Sequence, residues 1–139
     1  MKNVVAFLLL AVIAACGNDQ TTQRGLLLDA SGHVQRELAI TIADTEYERQ
    51  EGLRLHGPLS ENSALLLVFP IETKVCITNA GVPFPIDLLF LSASQEVIAS
   101  QEHIPANATG PYCHPNTAMV LELQGDALQP LNYAKLELF

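Results

Sequence analysis

Basic residues are scarce in this chain of 139 residues. Lysine and arginine number 7 together, against 15 aspartates and glutamates, which gives a formal net charge of −8. The few basic residues are scattered along the sequence, whereas binding to nucleic-acid phosphates requires a basic patch. The sequence therefore predicts no nucleic-acid partner.

The short signatures of common enzymes are absent as well. The sequence has no Gly-x-Ser-x-Gly elbow, no His-Glu-x-x-His, no glycine-rich phosphate loop and no Cys-x-x-Cys. No acid, base and nucleophile stand in a recognised arrangement. We therefore assign no catalytic residue, and we predict neither a cofactor nor a bound metal.

No apolar run is long enough to span a membrane comfortably. The N-terminal run, residues 4–13, follows a basic start at Lys2, which is the pattern of a secretory signal. It closes on Ile-Ala-Ala-Cys at residues 13–16, which resembles the lipobox of bacterial lipoproteins. The sequence predicts a signal peptide over residues 1–15, a lipid on Cys16, and a polar tether over residues 16–23. Because Gly17 follows the cysteine, we expect an outer-membrane anchor facing the periplasm.

Cysteine is also rare, and the three cysteines are unequal. If Cys16 carries lipid, Cys76 and Cys113 remain as an even pair in a compartment that permits disulfides. A disulfide between them is one interpretation, and two free thiols are another. A third is a zinc or copper site in which Cys113 and His114 act with Cys76 or His56, although the spacing is not that of a structural zinc site.

Short alternating or apolar segments separated by turn residues dominate residues 24–139. Two strands around the turn at residues 29–33 predict a hairpin. Thr45 with Glu48 predicts a capping box at the start of one short helix that Gly52 ends. A further strand is expected over residues 64–69, stopped by Pro70. The pattern predicts one all-β domain, a small β-sandwich or barrel of seven to eight short strands with one short helix.

The run Val82 to Leu91 is the most apolar segment of that domain, and it contains one carboxylate, Asp87. It predicts a central strand in which Asp87 shares its side with Leu89 and Leu91. A buried charge without partners costs several kcal/mol. Asp87 is therefore either an internal latch for the turn at Asn79 or the acceptor of a binding cleft.

An irregular segment, residues 102–117, is predicted to bring further polar side chains near this strand. Long loops of mixed chemistry often carry binding residues. We take Asp87, Asn79, Tyr112, His114 and His56 as ligand-binding candidates. The specific prediction is that Asp87 organises the mouth of the only ligand-sized cleft, between residues 79–85 and 102–117, and that Asn79 helps to satisfy it.

Several motifs occur in an order that resembles the family named domain of unknown function 192. They are Ala43-Asp44-Thr45, Glu48-Arg49, Gly52-Leu53, Leu67-Val68-Phe69, Asn79 ahead of Pro85-Ile86-Asp87-Leu88-Leu89-Phe90, Tyr112, and Val120-Leu121-Glu122-Leu123. The resemblance runs from about Leu38 to the C-terminus. It implies a compact, mainly β domain, often secreted or lipid-anchored in bacteria, whose activity is unknown.

The chain departs from this family at two places. Arg54, Leu55 and His56 stand where the family carries methionine and arginine after Gly-Leu. Residues 75–80 read Val-Cys-Ile-Thr-Asn-Ala, where the family shows aromatic-Trp-Met-Lys-Asn-Thr. If the family's aromatic and basic side chains form a binding surface, this chain lacks part of it.

Two functions of different class follow. The first is a lipid-anchored envelope domain that serves as a non-catalytic binding or accessory module, with a small molecule, a polymer or an envelope protein as its partner. The alternative is a small periplasmic hydrolase or metal-handling protein that uses Asp87 and the Cys113-His114 loop. Convergence of the candidate residues in one pocket would favour a site, and their dispersion would exclude it.

Overall fold

A computed structural model describes residues 20–128 and 132–139 of the chain. The predicted signal peptide and the first half of the predicted tether, residues 16–19 with Cys16, lie outside these residues. Seven strands form one sheet, and they are β1 (Thr22–Leu28), β2 (Val34–Ala43), β3 (Ser63–Ile77), β4 (Ile86–Leu91), β5 (Val97–Ile104), β6 (Tyr112–Gln124) and β7 (Lys135–Leu138). One short helix, α1 (Glu46–Glu51), continues into a 3₁₀ turn (Gly52–Leu55). The all-β prediction, with seven or eight strands and one short helix, is confirmed.

The strands lie in the order β5-β4-β6-β3-β2-β1-β7, and the sheet curls into a half-barrel. Its two edges approach each other at an isolated bridge between Glu96 and Lys135. Two backbone hydrogen bonds support the bridge, from Val97 N to Ala134 O at 2.8 Å and from Leu136 N to Gln95 O at 2.9 Å. This end of the barrel is therefore closed by backbone pairing. None of the described helices is long and apolar enough to cross a membrane.

The hairpin predicted at the start of the domain is present as the antiparallel pair β1 and β2. Leu38 and Ile40 of β2 point into the core, as their alternation with Glu37 and Ala39 indicates. The first strand starts at Thr22, so ordered pairing extends into the predicted tether. Thr22 and Gln23 pair with Thr41 and Ile40 through their backbones, and their polar side chains do not prevent this pairing.

Helix α1 begins with the predicted capping box. The Thr45 side chain accepts a hydrogen bond from Glu48 N, and the Glu48 carboxylate accepts one from Thr45 N, each at 3.2 Å. Gly52 ends the helix with φ +50°, a backbone conformation that residues other than glycine rarely adopt. The chain then turns toward β3.

Strands β2 and β3 pair in parallel, with Ile40 opposite Ala64 and Ala43 opposite Leu67. A parallel pair cannot be joined by a tight hairpin, so the connection must cross one face of the sheet. Helix α1 and the 3₁₀ turn make this crossing, and Leu53 anchors it in the apolar core with 2% exposure. The short helix therefore covers a face of the sheet.

The prediction that Pro70 stops a strand is wrong. Strand β3 continues through Pro70 to Ile77. The pairing of β3 with β6 is irregular between Val68 and Thr73, and Pro70 lies exposed within this interruption. Proline has no N–H to donate, and an interruption of the ladder requires none. The strand therefore bends and resumes instead of ending.

Strand β4 is the apolar run that contains Asp87, and all six of its residues are buried. It pairs with β5 and β6, one place in from the sheet edge rather than at the centre. Leu88 and Phe90 belong to the core cluster on the face that the crossing covers, whereas Leu89 and Leu91 belong to the cluster on the other face. The strand is thus buried on both sides.

Candidate functional site

Asp87 is an internal latch rather than a binding group. It is 0% exposed, and its two oxygens accept hydrogen bonds from His103 N at 2.8 Å and Leu128 N at 3.0 Å. The prediction that it organises the mouth of a ligand-sized cleft is wrong, and Asn79 is not its partner. The sequence analysis singled out Asp87 because it is a carboxylate within an apolar strand. Backbone N–H groups of distant segments, rather than a ligand, satisfy this carboxylate.

The other candidates do not converge on Asp87. The His114 ring packs 5.7 Å from the ring of Phe90, and its Nδ1 is hydrogen-bonded to Pro115 O. Tyr112 packs half-buried against the core, and His56 caps the 3₁₀ turn. The loop between β5 and β6 is also shorter than predicted, since those strands take up most of residues 102–117. Of the five candidates, Asn79 alone contributes to the pocket described below.

Cys76 and Cys113 form a disulfide between directly paired positions of β3 and β6, with 4.0 Å between their Cα atoms. The bond consumes the Cys113 thiolate that the zinc or copper interpretation required and the Cys76 thiolate that it offered as one further ligand. Among residues 20–128 and 132–139, no group of three or more histidine, cysteine, aspartate or glutamate side chains is placed to hold a metal ion. The Cys113-His114 pair therefore offers no metal site in this state.

A cavity of about 360 Å³ lies between the crossing segment and the sheet face beneath it. Helix α1 and the 3₁₀ turn form one wall, β3 and β6 form the floor, and the turn at residues 78–82 closes one end. Its apolar lining comes from core residues that the cavity reaches, namely Leu53, Leu67, Ile77 and Val82. The size and lining are those of a small-ligand pocket.

Glu122 of β6 lies at this pocket with 5% exposure. Burial raises the pKa of its carboxyl group to about 7, and the positive charge of Arg54 offsets part of the rise. Within the described part of the chain, Glu122 Oε2 has no hydrogen-bond partner. Gly52 lies above the carboxylate, where an added Cβ would be 3.7 Å from Oε2. Glycine at this position therefore places no side chain against the carboxylate.

Asn79, another residue of the pocket lining, also carries an acceptor without a partner in the described part of the chain. It is 0% exposed, and its amide nitrogen donates to Phe84 O at 3.0 Å and to Pro105 O at 2.8 Å. These two bonds use both amide hydrogens and fix which way the amide faces. Asn79 Oδ1 has no partner among the described residues. Three buried side-chain oxygens lack a hydrogen-bond partner among the described residues. Two of them belong to residues that line this pocket, and the third is the Tyr133 hydroxyl.

Two arginines at the pocket are already engaged by backbone carbonyls. Arg54 donates to Ala80 O at 2.8 Å and to Gln50 O. Arg49 donates to Val68 O at 2.9 Å and lies 5.6 Å from the centre of the Phe69 ring. Neither guanidinium is hydrogen-bonded to Glu122, although Arg54 is near enough to affect its pKa. The two arginines hold the pocket wall in place through these bonds, and neither donates to the Glu122 carboxylate.

A larger and more open groove, about 1130 Å³, lies along β1 and β2. Its two arginines are engaged, Arg24 with the exposed Glu37 at 2.6 Å and the half-buried Arg36 with the carbonyls of Ala127 and Glu61. Exposed pairs of this kind are ordinary surface features. The smaller pocket is the better candidate because, among the residues described, two of its lining residues carry unsatisfied buried oxygens, whereas the groove has one such residue, Tyr133.

The sequence analysis missed Glu122. It lies in Val-Leu-Glu-Leu, where strand alternation suggests an outward, solvated glutamate. In the structure, residues 117–123 are buried on both faces of β6. The available signal was the one noticed at Asp87, a single carboxylate inside an apolar run.

Two solved structures share this fold. A protein of Sinorhizobium meliloti 1021, provisionally assigned as a transcription regulator, superimposes with a TM-score of 0.79 at 21% identity, over 86% of this chain and 95% of its own. A protein of unknown function from Novosphingobium aromaticivorans DSM 12444 gives 0.74 at 18% identity, over 84% of each chain. At these identities the likeness establishes the fold alone. No curated protein matches the chain significantly.

The sequence profile of the family named domain of unknown function 192, described as an uncharacterized ACR, matches residues 19–135. This range includes every element that forms the pocket, from helix α1 to strand β6. The motif order predicted this assignment, and the profile match confirms it. The chain belongs to the domain of unknown function 192 family.

Proposed function

We propose that this chain is a lipid-anchored envelope domain that binds a small ligand, without chemical conversion, in the pocket of Glu122 and Asn79. One observation carries the proposal: two buried acceptor oxygens lie at one cavity without a partner among the described residues. An unsatisfied buried polar atom costs about 1–3 kcal/mol. A ligand that donates hydrogen bonds to both would remove this cost.

The pocket is also where the family motifs meet. Seven motif residues line it from four separate segments of the chain, and they are Arg49, Gly52, Leu53, Leu67, Phe69, Asn79 and Glu122. Residues far apart in sequence that gather at one cavity support a shared role in binding. Some of the positions where the chain departs from the family pattern, Arg54, Cys76, Ile77 and Thr78, line the same cavity. Such departures would alter which ligand is preferred.

The chemistry of the lining supports binding rather than catalysis. Among the described residues that line the pocket there is no histidine, and the sulfur of Cys76 is in the disulfide. The hydroxyl of Thr78 donates to Thr109 O at 2.9 Å. Within this described lining, Glu122 therefore has no histidine base, free thiol or uncommitted hydroxyl beside it, which acyl transfer would need.

The envelope location rests on the N-terminal sequence. The lipobox-like segment 13–16 would attach the domain to the membrane through Cys16, and Thr22, where β1 begins, follows soon after. The pocket would then sample ligands close to the membrane surface. A role in transcription, for which the Sinorhizobium protein is named, is not proposed here, because a chain of net charge −8 lacks the basic patch that DNA binding requires.

The binding proposal is tested by blocking the pocket mouth. Gln50 is an exposed lining residue of α1, and Tyr47 is an exposed residue of the same helix outside the lining. We expect a library of small envelope metabolites, screened by amide chemical shifts, to contain a compound that perturbs Gly52, Leu53 and Asn79. The perturbation should persist in Tyr47→Trp and disappear in Gln50→Trp.

The compound should also be recovered unchanged by mass spectrometry after prolonged incubation. Three results would overturn the proposal. They are a library without any compound that perturbs these amides, a perturbation that survives in Gln50→Trp, and conversion of the compound to a product.

A further inference from the structure

We infer that the ligand presents a primary ammonium group to Glu122 Oε2 and Asn79 Oδ1, with a short aliphatic body against the apolar wall. This inference rests on the proposed function and specifies the chemical class of the ligand. It follows from counting which hydrogen-bonding groups of the pocket are used and which are free.

Both free atoms are acceptors. The amide hydrogens of Asn79 are used by Phe84 O and Pro105 O, so the free atom is the oxygen. Glu122 adds a carboxylate oxygen with no partner among the described residues. A ligand group that satisfies both acceptors must donate hydrogen bonds in more than one direction.

Three of the four terminal guanidinium nitrogens at the pocket already donate to backbone carbonyls. Arg54 spends its two terminal nitrogens on Ala80 O and Gln50 O. Arg49 spends one on Asp44 O and Val68 O. A ligand carboxylate or phosphate placed at the ionised Glu122 would meet a like charge, and the two would repel. Anionic ligands are therefore disfavoured.

An ammonium matches the free groups better than a hydroxyl does. An ammonium brings three donors and no acceptor, whereas a hydroxyl brings one donor and lone pairs of its own. When Glu122 is ionised, the pocket lining carries Glu46, Glu51 and Glu122 against Arg49 and Arg54, which leaves it net negative. The apolar side chains beside these oxygens, such as Leu53 and Val82, suit an alkyl chain.

The ionisation of Glu122 makes this inference measurable. The charged groups that line the same pocket are Glu46, Arg49 and Glu51 from α1 and Arg54 from the 3₁₀ turn, while β3 and the turn at 78–82 contribute only the disulfide and neutral side chains. Burial holds the pKa of Glu122 at about 7. An ammonium prefers the ionised carboxylate, and alkylamines remain protonated below pH 9. Affinity should therefore rise about tenfold from pH 6 to pH 8.

The test compares n-butylammonium with 1-butanol, which has nearly the same shape and carries no charge. We expect n-butylammonium to shift the amide signals of Gly52 and Leu53 with a Kd that falls about tenfold from pH 6 to pH 8. It should also lower the pKa of Glu122, measured from the carboxyl ¹³C signal. Butanol should do neither, and Glu122→Gln should weaken ammonium binding at least tenfold.

The matched control is Glu61→Gln, which neutralises an exposed carboxylate outside this pocket and should leave the Kd unchanged. If Glu122→Gln does not fold, the comparison of amine with alcohol and the pH series on the wild-type protein still decide the matter. Equal binding of the two probes, a pH-independent Kd, or absence of ammonium binding would overturn the inference. The proposed function would survive those results if Gln50→Trp still abolished binding of a neutral metabolite from the library.

Discussion

The backbone N–H of Leu128 donates to Asp87 Oδ2 at 3.0 Å, a contact that joins residues 41 positions apart. The other oxygen of the same carboxylate accepts from His103 N at 2.8 Å. One side chain of β4 thereby holds the end of β5 and the turn that follows β6. Both donors are backbone groups, so Asp87 substitutes for ladder pairing that the sheet does not provide at this place.

Asp87→Asn should lower the free energy of unfolding by about 1–3 kcal/mol. The amide nitrogen of asparagine cannot accept from an N–H group, so one of the two donors loses its acceptor in a buried site. Urea denaturation at pH 7 measures the loss. Asp44→Asn, which alters an exposed aspartate, is the control and should change stability by less than about 0.5 kcal/mol. An equally small effect at Asp87 would contradict the latch.

Glu122→Gln should remove a pH dependence of stability. The pKa of Glu122 in the folded protein, about 7, exceeds the ordinary glutamate value of 4.5, so the folded protein holds an extra proton between these values. The stability due to this proton is fully present below about pH 4.5 and is lost as the pH rises through 7. Relative to wild type, the variant should gain roughly 2–3 kcal/mol in unfolding free energy between pH 5 and pH 8.

Urea denaturation of both proteins across this range gives the difference. The lowered pKa values of Asp29, Glu37 and Glu48, which accept hydrogen bonds in the folded state, place their transitions below the window. Burial lowers the pKa of His56, but this residue is present in both proteins and cancels. Parallel stability curves for the two proteins would show that Glu122 does not titrate in this range.

Arg54→Met should raise the pKa of Glu122 further, because the positive charge of Arg54 is the influence that opposes burial. The carboxyl ¹³C signal of Glu122, followed against pH, reports the change. Arg36→Met is a matched control, since Arg36 also donates to two backbone carbonyls but lies outside the pocket. If the two variants shift the pKa of Glu122 equally, the effect does not come from the local charge.

Reduction of the Cys76–Cys113 bond should destabilise the domain by roughly 2–4 kcal/mol. The bond closes a loop over a sequence separation of 37 residues, and its loss enlarges the unfolded ensemble. Melting temperatures with and without reductant measure the effect. The double variant Cys76→Ser with Cys113→Ser should melt at the temperature of the reduced wild type and should ignore the reductant. Alkylation of both thiols in the untreated exported protein would exclude the bond.

Cys16→Ser should move the protein from the membrane fraction to a soluble or unprocessed form in a bacterial host. Lipid attachment requires the thiol of Cys16, which serine lacks. Fractionation followed by mass measurement of the N-terminal peptide checks both location and modification. Asn18→Ser, two residues beyond, is a control that should leave lipidation intact. Normal processing together with unchanged fractionation of Cys16→Ser would contradict the anchor.

Local chemistry was predictable from the sequence. The capping box of Thr45 and Glu48 involves residues three positions apart, and the hairpin of β1 and β2 joins neighbours through a short turn. Both depend on side-chain and backbone preferences that act over a few residues. The fold class followed because many short strands with one helix leave few ways to bury their apolar faces.

The long-range contacts were not predictable in the same way. The partners of Asp87 are backbone groups at residues 103 and 128, and a backbone N–H leaves no mark in the sequence. Glu122 was missed because its burial depends on the crossing segment that packs over β6, and the parallel pairing of β2 with β3 creates that crossing. Pro70 misled because an irregular ladder, rather than the residue itself, decides whether a strand tolerates proline.

The crossing from β2 to β3 has a consequence for how this family can diversify. A parallel pair needs a connection over one face, so no deletion can remove the roof of the pocket without also breaking the order of the strands. Side chains on helix α1 and the 3₁₀ turn can therefore be substituted far more easily than the backbone path of this connection can be changed. Relatives with quite different ligands would then retain the same backbone path above Gly52 and differ in which atoms reach below it.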